Sequence, residues 1–131
     1  MDDLRPTSSV SNDLSRGELF FSVTGLWDLE GMQGFVEELN KCAWPIVKAG
    51  QRIHVLGAME GFVAQTRETG EVISNHLAEA QQHRLSRVAI YGATSLVKLQ
   101  YRRLSQGIDV SFFDSKVDAL QWLRRPYEDA A

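Results

Sequence analysis

Little in this chain would commit it to a membrane, an oxidising compartment or a metal. Cys42 is the only cysteine among 131 residues, so no intrachain disulfide can form and an oxidising compartment is not indicated. No apolar run approaches the roughly 20 residues that span a bilayer. The acidic start, Met1-Asp2-Asp3, is followed by no apolar segment of the secretory kind, and the expected location is the cytoplasm. Histidine is scarce as well. His76 and His83 stand seven apart, whereas a helical metal pair favours a four-residue step joined by further ligands. No metal and no cofactor is therefore expected; His76, on an apolar face, reads as a hydrogen-bonded boundary residue. A nucleophile elbow, a phosphate-cradling loop and a dinucleotide fingerprint are all missing, and the net charge of −3 gives no overall pull toward nucleic acid or membrane.

The charge that is present is unevenly placed. Residues 1–80 hold 6 Lys/Arg against 12 Asp/Glu, and residues 81–131 hold 8 against 5. Lys98, Arg102 and Arg103 gather on one predicted helix. A basic face can mark a nucleic-acid surface, but such binding asks for a wider stripe with exposed aromatics, so a solvated helix face is the expectation and no nucleic-acid partner is assigned.

Hydrophobic patterning supplies the fold. Residues 1–18 are rich in Ser and Thr and read as a mobile segment in which Val10 and Leu14 offer a weak edge strand. Leu19–Thr24 is an aromatic and β-branched run ending at Gly25, the mark of a buried strand. Asp28 is placed to cap a helix whose apolar residues Phe35, Val36, Leu39, Cys42, Ala43, Ile46 and Val47 recur at helical steps, with Pro45 as a kink and Gly50 as the stop. Cys42 on that stripe reads as a structural thiol. Strands at 53–58, 87–92 and 108–113 then alternate with helices over Thr66–Arg84, from Thr94 to Gly107, and from the Ser115/Asp118 capping pair to Leu123. Trp27 and Trp122 read as core or boundary anchors. Strands alternating with helices on short links predict an α/β domain with a four- to five-stranded, mostly parallel sheet, about four helices and an antiparallel N-terminal strand as an option. Residues 19–125 make one domain, and 126–131 a frayed tail.

Gly25-Leu26-Trp27 after the first core strand, Arg87-Val88-Ala89-Ile90 in the third, Ser95–Leu104 and the closing Ala119-Leu120-Gln121-Trp122-Leu123 together resemble the SpoIIAA-like superfamily. That group holds STAS domains and small bacterial STAS/SEC14-type proteins. The likeness runs from Leu19 to Leu123 and implies fold far more than function. It implies a regulatory module that binds a protein partner and is released when a serine at the start of the second helix is phosphorylated, in a motif similar to aspartate–serine–serine–glycine–leucine. The corresponding segment is Arg67-Glu68-Thr69-Gly70-Glu71-Val72, which makes Thr69 the candidate phosphoacceptor although the aspartate and leucine are absent. A helix-capping threonine is the plainer reading. The SEC14 relatives need extra gate helices that this chain is too short to supply, and no membrane insertion is expected.

The resemblance places the working surface at Met59, Glu60, Gly61, Glu68, Thr69 and Gly70, with Thr94 nearby. The functional expectation is a non-catalytic, protein-binding module acting on a protein partner or as a homodimer. The alternative is a binder of an anionic small molecule, or an enzyme, in a cleft at the carboxyl ends of the strands, where Glu60 and Glu68 stand and helix N-termini offer backbone donors.

Overall fold

The computed structural model describes residues 4–127. Its elements in chain order are β1 (Thr7–Asp13), β2 (Glu18–Thr24), α1 (Leu29–Lys48), β3 (Ile53–Ala58), α2 (Arg67–Gln81), β4 (Leu85–Tyr91), α3 (Ser95–Leu104), β5 (Val110–Phe113) and α4 (Lys116–Leu123). One sheet carries all five strands in the order β1-β2-β3-β4-β5, with β1 antiparallel to β2 and the remaining pairs parallel. Each parallel pair is joined through one helix, the crossover that parallel neighbours require.

Alternation along β2 assigns the two faces. Leu19, Phe21 and Val23 point into the main core, beneath α1, α2 and α3, while Phe20 packs on the opposite side with Leu56, Ala89, Ala119 and Leu123 under α4. Helix α1 starts where the Asp28 carboxylate accepts the Gly31 N–H at 2.6 Å and buries Met32, Phe35, Leu39 and Ile46. The helix is continuous through Pro45, whose missing N–H falls in the last turn, and Gly50 at φ +70° ends it.

Several boundaries differ from the sequence expectation. Helix α2 begins at Arg67 because Thr66 is its cap, and it stops at Gln81, short of Arg84. Arg84 adopts φ +68° and donates from Nη1 to the Gly50 carbonyl at 2.6 Å, and a left-handed residue cannot extend a right-handed helix. Strand β4 starts two residues earlier than expected, at Leu85, and β5 starts later, at Val110. At the N-terminal side, residues 7–13 pair at every position with 18–24, so β1 is a full strand, and Leu14 lies exposed in the turn that follows it. Across the pair, Ser9 and Ser22 hydroxyls meet at 2.6 Å. Of the tail expected to fray, Tyr127 is tied down: Arg52 and Arg87 guanidinium carbons each lie 3.9 Å from its ring centroid, and its hydroxyl is 2.7 Å from His54 Nε2. Residues 128–131, the rest of that tail, and residues 1–3 lie outside the described residues.

Candidate functional site

The carboxyl ends of the strands, where the sequence placed the working surface, are closed by the protein's own polar groups. Gln65 is buried at the centre. Its Oε1 accepts the Trp27 N–H at 2.8 Å, and its Nε2 donates to the carbonyls of Gly25 and Val63 at 3.0 and 2.6 Å. Gln100 on α3 completes the arrangement: its Oε1 accepts the Gln65 N–H at 2.8 Å and its Nε2 donates to the Gln65 carbonyl at 2.9 Å. Met59 and Phe62 turn inward and are buried, the Phe62 N–H donates to the Met59 carbonyl at 3.1 Å, and the Gly25 N–H donates to the Gly61 carbonyl at 2.8 Å. Gly70 is buried, while Glu60, Gly61, Glu68 and Thr94 are exposed. The Thr94 hydroxyl accepts the Val97 N–H at 3.3 Å, which engages it in capping its own helix.

Topology provides no switch point there; the concave space that borders the ends of β3 and β4, at Ala58 and Tyr91, lies on the α4 face with Phe20, Leu120, Lys116 and Arg124. Ligand crevices in open α/β sheets form where the strand order reverses and neighbouring crossovers part to opposite faces. This strand order never reverses. At the N-termini of α2 and α3, where an anion was expected, Thr66 and Thr94 take the capping positions.

Thr69 does not cap α2; Thr66 does, its Oγ1 accepting the Thr69 N–H at 3.4 Å. The Thr69 hydroxyl is directed inward, donating to the Trp27 carbonyl at 3.3 Å, and the residue is only 1% exposed. A kinase cannot reach that oxygen in this fold, and a phosphate would bring about two negative charges into a space already filled.

A separate, largely apolar space lies on the main-core side of the sheet. Beneath α1 and α2, on the main-core face, is a chamber of about 210 Å³. Leu19, Phe21, Ile53, Val55 and Val88 form its floor, and Phe35, Leu39, Ile73 and Leu77 are among its walls. The space exists because α2 brings few large side chains over it; Ile73 and Leu77 are followed on that face by Ala80. One wall is ordered by aromatic contacts, with Phe35 edge-on to Phe21 at 5.9 Å and tilted on Trp27 at 5.6 Å. The chamber reaches the surface between the two helices, where Asn40 and Trp44 of α1 face His76, Glu79 and Ala80 of α2 and His83 of the turn that follows it. Trp44 stands 59% exposed.

Electrostatics follow from burial. Burial pushes the His76 imidazole below its ordinary range, only partly opposed by Glu79, and pushes the Tyr101 phenol at the chamber wall above its ordinary range. His76 is therefore a neutral imidazole at neutral pH. Such a site can exclude water from an apolar group and offer it a hydrogen bond at the entrance.

On the other face of the sheet the ionisable groups are paired. Glu18, 2% exposed, takes a bidentate pair of hydrogen bonds from Arg124 at 2.8 and 2.9 Å. Buried Arg87 donates to the carbonyls of Leu123 and Arg125 at 3.3 and 2.6 Å, closing the carboxyl end of α4. Of the basic helix face, Arg102 lies 5.0 Å from the Phe112 ring centroid. Among the described residues no group of three metal-ligating side chains gathers, and no helix is long and apolar enough to cross a membrane.

Sequence reasoning weighed His76 and His83 as a metal pair and read His76 as a hydrogen-bonded core or boundary residue; the structure sets both at the chamber entrance, and His76 makes no side-chain hydrogen bond to a described residue. It overlooked Trp44, Gln65, Gln100 and Tyr127. A glutamine in an apolar neighbourhood between a strand and a cap was the available signal for Gln65, and a tryptophan on the outer side of an amphipathic helix was the signal for Trp44.

With this geometry in hand, a comparison with solved structures bears on the fold. The chain is similar to the crystal structure of an uncharacterized protein from the DUF3478 family, with a SpoIIAA-like fold, from Shewanella loihica PV-4. The TM-score is 0.67 at 21% identity, covering 94% of this chain and 98% of that one. No protein-family model and no curated protein sequence matches the chain. The fold is SpoIIAA-like, in line with the sequence resemblance.

Proposed function

We propose that the chain is a non-catalytic binding module whose ligand is a small apolar molecule held in the chamber beneath α1 and α2. One observation carries this reading: about 210 Å³ of space with almost wholly apolar walls, open at one side. Protein interiors ordinarily leave few voids larger than a water molecule. At about 24 cal/mol per Å³, an unfilled cavity of this size costs up to roughly 5 kcal/mol, and a ligand that fills it returns part of that. Apolar walls with a few polar groups at the entrance are the ordinary make-up of a small-molecule site. Titrating the protein with toluene while following isoleucine, leucine and valine methyl resonances tests the reading. Shifts are expected at Leu39, Val55, Ile73 and Leu77; a titration that moves none of them sinks it.

A second reading is supported by a different observation. Leu96 and Leu99 lie three residues apart on α3 and are 63% and 60% exposed, with Arg102 and Arg103 beyond them. Two exposed leucines on one helix face beside cations suit a docking surface for a protein partner or a second copy, the regulatory role that the STAS resemblance implies. Sedimentation of the wild type against Leu96→Glu/Leu99→Glu, alone and with captured partners, checks it: association should be lost in the double variant, and association that survives it counts against this face.

A further inference from the structure

The chamber walls would accept many apolar groups, but its entrance is selective. Size sets the first limit. A cavity of about 150 Å³ takes one benzene ring, so the roughly 210 Å³ found here takes about eight to ten non-hydrogen atoms. Charge sets the second. No lysine or arginine lines the chamber, while the Glu79 carboxylate stands at the entrance on α2. An anionic head group held at the entrance would face that carboxylate with no lining lysine or arginine between them, and like charges repel. Hydrogen bonding sets the third. The partly buried His76 ring makes no side-chain hydrogen bond to any described residue, so one nitrogen that donates and one that accepts are left at the entrance. A hydroxyl matches both roles.

Building on the chamber as the ligand site, we propose that its occupant is an uncharged amphiphile: an apolar body of about eight to ten non-hydrogen atoms bearing one hydroxyl or amide group that hydrogen-bonds to His76. The body lies against Leu39, Val55 and Leu77, and the polar group stays at the boundary with water. Free carboxylic acids are rejected by charge at neutral pH. Amines have Glu79 to attract them, but an ion pair with an exposed carboxylate is worth little.

Three probes of one chain length separate these outcomes: octan-1-ol, octanoate and octylamine, titrated calorimetrically into the whole protein at about pH 8, where a free imidazole is neutral. Octan-1-ol is expected to bind at least about tenfold more tightly than either ion, the equivalent of about 1.4 kcal/mol. His76→Phe keeps the apolar wall and removes the polar contact. It is expected to lower the ratio of octan-1-ol to toluene affinity about fivefold, the worth of one hydrogen bond. Octanoate or octylamine binding as tightly as the alcohol overturns the proposal, and so does an unchanged ratio in His76→Phe. If toluene binds and octan-1-ol does not, the head-group inference fails alone. If no probe binds, toluene included, the chamber reading fails with it.

Discussion

The carboxyl end of the sheet and the space beneath α1 and α2 are built on opposite terms. At the first, Gln65, Gln100, Thr66, Thr69 and Thr94 hydrogen-bond to the chain itself, and no buried side-chain nitrogen or oxygen among the described residues lacks a partner. At the second, apolar side chains surround space they do not fill. The lesson is that a SpoIIAA-like chain can tie the ends of its strands together by internal hydrogen bonds and still leave concave space on the helix side of the core.

The contrast can be broken most severely at Thr69. Thr69→Glu puts a carboxylate where the hydroxyl is 1% exposed, and a loss of about 4 kcal/mol in urea unfolding is expected; a variant as stable as wild type would show that the strand ends are open and restore the phospho-switch. Gln65→Leu comes next. It leaves the Trp27 N–H and the Gly25 and Val63 carbonyls unmatched, for an expected loss of about 3 kcal/mol. Thr69→Val keeps the shape and deletes the bond to the Trp27 carbonyl and the one accepted from the Thr66 hydroxyl, so about 1–2 kcal/mol should go. On the other side of the comparison the sign reverses. Ala80→Leu extends into the chamber entrance and should be neutral or raise stability by about 0.5 kcal/mol, because space is filled without displacing a neighbour. A loss of more than about 1 kcal/mol there would mean the chamber has no room.

The smallest effect is that of pH, and its sign is definite. His76 is held below its ordinary range by burial, and His54 by burial and the nearby Arg87 and Arg52, with Glu18 opposing. Both titrate at lower pH in the folded chain than in the unfolded one. Below the unfolded value of 6.5 the unfolded chain binds protons that the folded chain refuses, so stability is complete above that value and declines as pH falls through it toward the folded pKa values. Urea midpoints at about pH 7.5 and 5.5 measure this; a midpoint at the lower pH equal to or above the other contradicts the assignment.

Much of the fold was legible because its signals are local. Asp28, Thr94 and Ser115 cap the helices at the places their side chains announce, and the runs at 19–24 and 53–58 fold as strands within a residue of their expected limits. The site was not legible in the same way. The Gln65 contacts join residues 35 to 40 positions apart, so no window of sequence contains both partners. Periodicity showed that Leu39, Ile73 and Leu77 face inward, but it carries no information on whether the interior they face is full. Thr69 misled for a related reason: a threonine beside a glycine at a helix start looks like an exposed acceptor until Trp27, 42 residues away, is seen to cover it.

The unbroken left-to-right order of the strands bears on how the chain emerges from the ribosome. No strand must be inserted between two already joined, so the sheet can grow by simple addition as synthesis proceeds. Its second side, however, stays bare until the very end: Leu56, Ala89 and Phe113 await Ala119 and Leu123. A nascent chain stalled after β5 and before α4 is complete therefore carries a finished sheet with one greasy flank uncovered, and that is the moment at which a chaperone has something to hold.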